Sequence, residues 1–214
     1  MKHDIASMRQ HYANEALDMA SVNINPFEEF HFWFDEAVKA EVREPNAMTL
    51  ATVDAHGMPD ARVVLLKELD DTGFVFYTNY TSDKSRQIEN NPNACLVFSW
   101  LELGRQVRIR GKLEKYDEEK SIQYFQSRPR DSQIGAWSSP QSRVIEDRTV
   151  IEKLVAETEA LFEGQDTLPK PPHWGGYLLV PSEIEFWQGR LSRLHDRIKF
   201  RKEEGRWAIS RLAP

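Results

Sequence analysis

Four basic side chains lie within nine residues near the end of the chain, in the stretch GRLSRLHDR (189–197). If this stretch is an extended strand, alternate residues share a face, so Arg193, His195 and Arg197 line up on one side. Two guanidinium groups with an imidazole between them could bind an anion and exchange a proton. The alternative is a solvated strand face whose cations pair with nearby glutamates, and spacing alone leaves both interpretations open.

Two further stretches place basic or amide side chains along predicted strands. In RQVRIRG, Gln106, Arg108 and Arg110 share a face, while the apolar residues between them point the other way. In ARVVLLKEL, Arg62 and Lys67 flank the apolar run VVLL, which is typical of a buried strand with charged ends. Either end could reach a ligand, and ordinary polarity at strand ends is the alternative.

A short helix predicted after GFVFYTN offers a different kind of anion site. Free N–H groups and the dipole at a helix N-terminus favour negative charge. Tyr77, Thr78 and Ser82 supply hydroxyl groups there, and Lys84 supplies a cation. These residue types predict an anion site at the start of this helix.

The stretch YFQSRPRDSQIGAW joins hydroxyl and guanidinium groups in and after a helix end. It contains Tyr124, Arg128, Arg130 and Ser132. A guanidinium with hydroxyl partners suits a phosphate, because its N–H groups form a planar fork. Taken together, the basic clusters in an otherwise acidic chain predict two phosphorylated small molecules as ligands.

The overall composition argues against several other classes of function. The chain has 214 residues and a formal net charge of −6, whereas a general nucleic-acid binder needs positive charge. Cys95 is the sole cysteine, so no internal disulfide or thiolate zinc site can form, and no metal site is predicted. Within the apolar run ACLVFSW it is expected to be a buried structural thiol. No apolar run approaches ~20 residues, so we expect no membrane span and a cytoplasmic location.

Hydrophobic periodicity and turn residues predict a mainly β chain with flanking helices. The predicted helices cover 26–43, 82–90, 117–127 and 143–163, and residues 128–142 are predicted to be a long polar loop. The predicted strands cover 48–54, 61–69, 73–79, 94–101 and 105–116. Three or four more strands close the chain, beginning with GYLLV and EIEFWQ. Short strands that do not alternate regularly with helices favour a closed or nearly closed barrel.

Several motifs resemble the pyridoxamine 5′-phosphate oxidase family. They are ARVVLLK, FYTNYTSDKSRQIENNP, RQVRIRGKLEK, YFQSRPRDSQIGAW, FWQGRLSRLHDR and the terminal RLAP. The resemblance implies a single split β-barrel domain over residues 21–214, a flexible segment at 1–20, and FMN as cofactor. It also implies a homodimer with FMN sites at the subunit interface. The implied reaction oxidises pyridoxamine or pyridoxine 5′-phosphate to pyridoxal 5′-phosphate, with O₂ as electron acceptor and release of H₂O₂.

The same resemblance implies roles for individual residues. It assigns FMN binding to Arg62, Val63, Val64, Leu65, Leu66, Lys67, Tyr77, Thr78, Lys84, Gln106, Gln141, Ser142, Trp187 and Arg197. It assigns substrate binding to Arg9, Tyr12, Lys67, Tyr124, Arg128, Ser132, Arg193 and His195. Arg193 and His195 are the implied catalytic pair, which would orient the amine or alcohol at C4′ of the substrate and assist its proton loss.

One position departs from the family pattern. The family commonly has an arginine before the lysine of its S-R-K segment, whereas this chain has Ser82-Asp83-Lys84. A carboxylate suits a helix N-terminus through the dipole, but it repels a phosphate bound at the same place. Either Asp83 points away or FMN is held by fewer cations, and we expect FMN to be retained somewhat more weakly.

Three other functions fit parts of the pattern. A flavin reductase that uses NAD(P)H could share the barrel, but it would not need Tyr124, Arg128 and Ser132 as a second phosphate site. A non-catalytic carrier of FMN or pyridoxal phosphate would bind the ligands without producing peroxide. A structural protein with solvated basic strands would bind neither ligand.

Overall fold

The computed structural model describes residues 16–214. The predicted ligands Arg9 and Tyr12, and most of the segment 1–20, lie outside these residues. The helices are α1 (Pro26–Lys39), α2 (Asp83–Asn90), α3 (Glu118–Ser127), α4 (Arg130–Ser138) and α5 (Arg148–Leu161), with short 3₁₀ turns at Leu101–Leu103 and Leu191–Arg193. In this part of the chain, no helix is both long and apolar enough to span a membrane.

The strands of residues 16–214 make the chain mainly β, as predicted. They are β1 (Ala47–Val53), β2 (Pro59–Leu65), β3 (Glu68–Asp70), β4 (Gly73–Asn79), β5 (Asn93–Trp100), β6 (Arg105–Lys115), β7 (Trp174–Gln188), β8 (Asp196–Glu203) and β9 (Arg206–Arg211). Paired strands follow the order β2-β1-β5-β6-β7-β4-β3, and β8 pairs with β7 and β9. The antiparallel register places Asn79 of β4 opposite Trp174 of β7, and Trp187 of β7 opposite Arg197 of β8.

The chain divides into two compact units, and each has its own core. Within residues 16–214, unit 1 comprises residues 16–49, Cys95–Arg110 and Pro181–Pro214. Unit 2 comprises Leu50–Ala94 and Gly111–Val180. The single domain over residues 21–214 stays a prediction.

Unit 1 packs α1 against its strands. The side chain of Asn25 caps the helix by accepting the backbone N–H of Phe27 at 3.0 Å. Trp33 is buried and packs edge-on against Phe186, with ring centroids 5.1 Å apart. The predicted amphipathic helix is therefore confirmed, although it ends at Lys39 rather than at residue 43.

Unit 2 packs its helices around a second core. The buried cluster consists of Phe125, Ile134, Phe162, Leu168 and Trp174. Asp117 caps α3, as predicted, by accepting the backbone N–H of Lys120 at 2.8 Å. The almost fully buried side chain of Lys170 donates to the backbone oxygen of Trp174 at 2.6 Å and pairs with Glu118 at 3.1 Å. Lys170 thereby fixes the proline-rich connector where β7 begins.

Four predicted elements are wrong. Residues 128–142 are not a loop, because α4 occupies their centre. The predicted strand 61–69 is divided into β2 and β3. The two predicted strands GYLLV and EIEFWQ form the single strand β7, in which Pro181 lies between the part paired with β4 and the part paired with β8. The missing N–H of a proline is tolerated at such a change of partner.

The predicted strand through residues 189–197 is also wrong, because β8 begins only near its end. In the preceding 3₁₀ turn, Ser192 and Arg193 have φ angles of 56° and 61°. Two consecutive non-glycine residues in the left-handed region cannot belong to a regular strand. Arg193 and His195 therefore do not share a strand face with Arg197.

Two side chains are more exposed than predicted. Cys95 is half-buried rather than buried, although burial still raises the pKa of its thiol. Val63 is 67% exposed, so the run VVLL is not a buried strand centre. The face of β2 that carries Val63 is therefore accessible to a ligand or to another chain.

Candidate functional site

A cavity of about 740 Å³ opens in unit 2. Its walls come from β2, β4, α2, the junction of α3 and α4, and the start of β7. Most of the residues predicted to bind FMN or substrate line it, namely Arg62, Val63, Val64, Leu65, Lys67, Tyr77, Thr78, Lys84, Tyr124, Arg128, Ser132 and Gln141. Residues predicted for both ligands therefore meet in one cavity.

Arg62 on β2 is the first cation of the cavity, and its guanidinium is held from several sides. Nη1 donates to Thr52 Oγ1 at 2.5 Å and to the backbone oxygen of Leu50 at 3.2 Å. Nη2 donates to Gln87 Oε1 at 3.0 Å and to Asp60 Oδ2 at 2.5 Å. Because Asp60 offsets part of the positive charge, a phosphate at this position would compete with a carboxylate.

Lys84 in the first turn of α2 is the second cation. Its Nζ donates to Gln141 Oε1 at 3.0 Å, and the hydroxyl of Thr78 donates to the same oxygen at 3.2 Å. Burial, together with the nearby charge of Arg62, lowers the pKa of Lys84. A bound phosphate would counteract both effects, because a negative charge stabilises the protonated amine.

The start of α2 does not present every group that the sequence suggested. Ser82 is fully buried, and its hydroxyl donates to the backbone oxygen of Asn79 at 2.7 Å. It does not line the cavity. The half-exposed carboxylate of Asp83 pairs with Arg86 and does not line the cavity either. The carboxylate of Asp83 is therefore directed towards Arg86 and not into the cavity. This arrangement agrees with the first alternative from the sequence, in which Asp83 points away.

Arg128, at the junction of α3 and α4, is the third cation. Its guanidinium lies over the ring of Trp174, 4.8 Å from the centroid, and 5.6 Å from that of Phe125. Its Nη1 is buried and has no hydrogen-bond partner within residues 16–214. Burial lowers the pKa of Arg128. Since buried donors are nearly always paired, this N–H group indicates a place for an anionic acceptor.

Gln133, buried in α4, supports this junction. Its Nε2 donates to the backbone oxygens of Arg128 at 2.8 Å and Gln126 at 3.2 Å, and its Oε1 accepts the N–H of Leu168 at 2.7 Å. These bonds fix the backbone from which the Arg128 side chain extends. The role of Gln133 was not predicted, because no feature of the sequence distinguishes a buried glutamine from an exposed one.

Stacked aromatic rings form one wall of the cavity. Tyr77 stacks on Tyr124 at 4.1 Å and on Trp174 at 5.2 Å, with interplanar angles of 19° and 8°. Burial raises the pKa of Tyr77, so its hydroxyl stays protonated. Trp174 was not predicted as a site residue, because it follows a proline-rich connector that resembles a simple spacer. A flat apolar wall beside Arg128 suits an aromatic ligand that carries an anionic group.

Five predicted site residues belong to unit 1 and do not line the cavity, namely Gln106, Trp187, Arg193, His195 and Arg197. The Nδ1 atom of His195 accepts the backbone N–H of Arg190 at 3.0 Å, and the His195 ring lies 4.5 Å from the ring of Trp187. Because Nδ1 is an acceptor, the neutral ring carries its proton on Nε2. Arg193 is exposed.

Arg197 on β8 is paired with a carboxylate. Its Nε and Nη2 both lie 2.8 Å from Glu185 Oε1. Arg108 bonds to the other oxygen of the same carboxylate. Arg197 and Arg108 therefore follow the alternative interpretation of the sequence, in which cations along a strand pair with nearby glutamates.

Two of the predicted contacts do not line the cavity, and two others lie outside the described residues. Leu66 is buried, and Ser142, whose φ is 66°, follows the lining residue Gln141 without lining the cavity itself. Arg9 and Tyr12 lie outside the described residues. The roles of these four residues stay predictions.

Two known protein families match most of the chain. Residues 34–162 match the family described as pyridoxamine 5′-phosphate oxidase, and residues 174–214 match the pyridoxine 5′-phosphate oxidase C-terminal dimerisation region. The pyridoxine/pyridoxamine 5′-phosphate oxidases of Burkholderia thailandensis and Burkholderia pseudomallei are similar to the chain. Each is 55% identical to it over 213 residues, which are 98% of this chain and 99% of the relative.

Solved structures share the fold. PhzG from Burkholderia lata, in complex with tetrahydrophenazine-1-carboxylic acid, is 30% identical with a TM-score of 0.87, over 94% of this chain and 100% of PhzG. A pyridoxamine 5′-phosphate oxidase-related, FMN-binding protein from Nostoc punctiforme is 20% identical with a TM-score of 0.69, over 86% of this chain and 97% of its own. These likenesses confirm the expected split-barrel fold class. Because the family matches and the relatives together span almost the whole sequence, the chain belongs to the pyridoxine/pyridoxamine 5′-phosphate oxidase family.

Proposed function

We propose that the chain is an FMN-dependent oxidase that converts pyridoxamine or pyridoxine 5′-phosphate to pyridoxal 5′-phosphate, with O₂ as electron acceptor. The observation that carries the proposal is the buried Nη1 of Arg128, which has no partner within residues 16–214 and belongs to a cavity that contains other cations. Two groups of cations in one cavity suit two phosphate monoesters. The names of the 55% identical relatives support this substrate class.

FMN fits the residues at the α2 end of the cavity. Lys84 and Arg62 provide positive charge for its phosphate, and Thr78 and Gln141 provide polar atoms beside them. The lowered pKa of Lys84 means that this cation gains stability from a bound anion. The volume of about 740 Å³ lies in the usual range for ligand sites, roughly 300–1,000 Å³. The FMN-binding neighbour of the same fold supports this cofactor.

The substrate phosphate belongs at the α3–α4 end. Arg128 supplies the guanidinium, and the hydroxyl groups of Tyr124 and Ser132 lie in the same cavity lining. Lys67, which is exposed, adds a further cation to that lining. With this arrangement the enzyme selects phosphorylated substrates, because a ligand without a phosphate would leave the buried Nη1 of Arg128 unpaired.

His195 and Arg193 orient the reacting carbon of the substrate. When bound, FMN supplies the two-electron redox chemistry, taking electrons from C4′ and passing them to O₂ with release of H₂O₂. His195 donates through Nε2 to the oxygen or nitrogen on C4′, since its Nδ1 accepts the N–H of Arg190, and the proton that the C4′ hydroxyl or amine loses passes to solvent. When the substrate is the amine, water hydrolyses the resulting imine to the aldehyde and ammonia. Arg193 orients and polarises the substrate, because a guanidinium donates hydrogen bonds and has no site that accepts a proton.

We also propose that the enzyme is a homodimer in which each FMN site combines residues of both protomers. Residues 174–214, which match a dimerisation region, include Trp187, Arg193, His195 and Arg197. These residues do not line the cavity of unit 2. Sites at the subunit interface, as the family resemblance implies, would supply them from the second protomer. The cytoplasmic location stays a prediction.

Spectroscopy of the purified protein tests the proposed reaction. We expect a yellow protein with a flavin spectrum that pyridoxine 5′-phosphate bleaches in the absence of O₂. Admission of air should restore the colour and release H₂O₂. Pyridoxine without the phosphate is the matched control, and it should bleach the protein only at much higher concentration.

Other outcomes identify the competing functions. A protein that NADPH bleaches and pyridoxine 5′-phosphate does not is a flavin reductase. A yellow protein that neither compound bleaches is a carrier. A colourless protein that does not take up added FMN contradicts both the cofactor and the reaction.

A further inference from the structure

We propose that Glu185 and the C-terminal backbone form a clamp that positions the guanidinium of Arg197. The inference rests on the proposed function, in which Arg197 contacts FMN, and it adds two positioning groups for that contact. All residues of this Arg197 clamp belong to unit 1.

The first half of the clamp is a buried carboxylate on β7. Glu185 is 3% exposed, and its Oε1 accepts from both Nε and Nη2 of Arg197 at 2.8 Å. Its Oε2 accepts from Nη2 of Arg108. A buried charge requires such partners, and a carboxylate that contacts two nitrogens of one guanidinium fixes its plane.

The second half of the clamp is the end of the chain. The last pair of the β8–β9 ladder joins Ile198 to Arg211. Beyond it, the N–H of Leu212 donates to the backbone oxygen of Arg197 at 2.9 Å. This bond brings Ala213 next to the Arg197 side chain, where its backbone oxygen accepts from Nη1 at 2.9 Å. The terminal residues therefore hold the guanidinium at Nη1, whereas Glu185 holds it at Nε and Nη2.

Together the two halves engage all three nitrogens of the Arg197 guanidinium. Five N–H groups in a rigid plane are available to an arginine, so one N–H on each of Nη1 and Nη2 remains to donate to a ligand. The cluster of Arg197, Arg108 and Glu185 combines two positive charges with one negative charge. The clamp therefore holds the remaining N–H groups of Arg197 in a fixed position within a cluster of net positive charge. Such a group suits the polar edge of a planar cofactor.

The first test compares Glu185→Gln with Glu183→Gln in the full-length holoenzyme. Glu183 is a matched control, because it lies on the same strand and pairs with two cations, Arg110 and Lys199, each at 3.7 Å. The FMN dissociation constant is obtained from the fluorescence of FMN released on serial dilution. We expect a rise of about tenfold for Glu185→Gln and less than about twofold for Glu183→Gln.

A double-mutant cycle separates positioning from general destabilisation. If Glu185 acts through Arg197, its replacement has little further effect on FMN binding in an Arg197→Lys background. Equal effects of Glu185→Gln in both backgrounds overturn the inference, and so do equal effects of Glu185→Gln and Glu183→Gln. Thermal unfolding of each variant shows whether the fold is retained.

The C-terminal half is tested without altering any charge. Leu212→Pro removes the N–H that bonds to Arg197, whereas Leu212→Ala removes only the side chain. We expect Leu212→Pro to weaken FMN binding by about threefold to tenfold and Leu212→Ala to have a smaller effect. The same effect for both substitutions overturns this half of the clamp, and this comparison remains informative if Glu185→Gln does not fold.

A final readout does not depend on FMN. In ¹⁵N NMR spectra of the wild-type protein, assigned with Arg197→Lys, the Nε–H of Arg197 should exchange slowly with solvent, and Leu212→Pro should speed this exchange. Rapid exchange in the wild type overturns the clamp whatever the protein binds. If exchange is slow but the protein binds no FMN, the proposed function fails and the clamp remains as a feature of the fold.

Discussion

Burial without a partner distinguishes Arg128 from the other cations of the cavity. Arg62 and Lys84 bond to oxygen atoms of the protein, whereas Nη1 of Arg128 is buried without a hydrogen bond in the described residues. Arg128→Met keeps most of the apolar stem and removes the charge. We expect the KM for pyridoxine 5′-phosphate to rise roughly 10-fold to 150-fold, because a charged hydrogen bond contributes about 1.5–3 kcal/mol. The FMN content should not change.

The control for Arg128→Met is the substrate without a phosphate. Oxidation of pyridoxine should have nearly the same kcat/KM in the variant as in the wild type, since the contact that was removed serves the phosphate alone. Steady-state H₂O₂ release measures both substrates. A similar loss for the two substrates would show that Arg128 does not recognise the phosphate.

Lys84 makes FMN binding depend on pH. Burial lowers its pKa in the folded protein below the ordinary value of 10.5. Between the lowered pKa and 10.5 the unfolded chain binds more protons than the folded chain, so the stability of the FMN-free protein rises with pH in this window. FMN affinity should do the opposite and fall as pH rises through the lowered pKa, because the neutral amine no longer attracts the phosphate.

The matched variant for this pH dependence is Lys84→Arg. An arginine stays charged across the alkaline range, so its FMN affinity should stay nearly constant where that of the wild type falls. Titration of FMN fluorescence at a series of pH values measures both proteins. A wild-type affinity that does not change between neutral pH and pH 10.5 is incompatible with the role given to Lys84.

At the scale of elements, the N-terminus of α2 is where the sequence differs from the pattern that the family resemblance implies. Asp83 occupies the first turn and pairs with Arg86. Asp83→Arg replaces a negative charge with a positive one near the proposed phosphate position, so we expect FMN to bind about threefold to tenfold more tightly. Asp83→Asn is the control and should change the affinity by less than about threefold, because the exposed ion pair already screens the carboxylate. A wild-type affinity equal to or above that of Asp83→Arg refutes this expectation.

The start of β7 needs glycine because aromatic rings approach its backbone. A Cβ atom at Gly176 would lie 2.9 Å from Tyr116 Cβ and 3.0 Å from Tyr77 Cε1. Gly176→Ala should therefore displace Tyr77 and destabilise the protein by about 1–3 kcal/mol. Gly135→Ala in α4 is the control, because nothing lies within 4 Å of its new Cβ, and it should stabilise the helix by about 0.5–1 kcal/mol. Thermal unfolding measures the stability of both variants. If both substitutions shift the melting temperature in the same direction, the packing argument is wrong.

The elements that the sequence predicted well are those with a strong local signal. The strand GFVFYTN was predicted at 73–79, where β4 lies, because apolar residues end at clear turn residues. Helix α4 was missed, because the polar composition of residues 128–142 suggested a loop, whereas its buried residues Gln133 and Ile134 are held by tertiary contacts. The prediction that the cations at 193–197 share one strand face was wrong for a related reason. Nothing in the local sequence indicates that Ser192 adopts a left-handed conformation.

The candidate site was predictable in its residue types but not in its supports. Hydroxyl and basic side chains identified part of the cavity lining, including Tyr124 and Arg128, and the family resemblance added others, such as Gln141. The groups that hold them in place, such as Gln133 and Thr52, gave no signal, because an amide or hydroxyl has the same appearance in a sequence whether it supports a site or faces solvent. Their roles depend on long-range contacts, such as that between Leu168 and Gln133.

At the scale of the whole molecule, the proposed sharing of sites between protomers predicts complementation. Lys84→Met should inactivate the part of the site that unit 2 supplies. Arg197→Met should inactivate the part that unit 1 supplies. When the two inactive proteins are unfolded together and refolded, about half of the dimers are mixed and each has one intact site of two, so about a quarter of wild-type activity should return. The two variants refolded separately are the control. No recovered activity would show that each site is built from a single protomer.

The most direct measurement is a crystal structure of the protein with FMN and pyridoxal 5′-phosphate, because the central claim is that separate groups of cations bind two phosphate monoesters. We expect Nη1 of Arg128 within hydrogen-bond distance of the pyridoxal phosphate, and Lys84 beside the phosphate of FMN. Arg193 and His195 should lie over the pyridine ring. If Arg128, Arg193 and His195 instead face solvent, away from both ligands, the account is wrong.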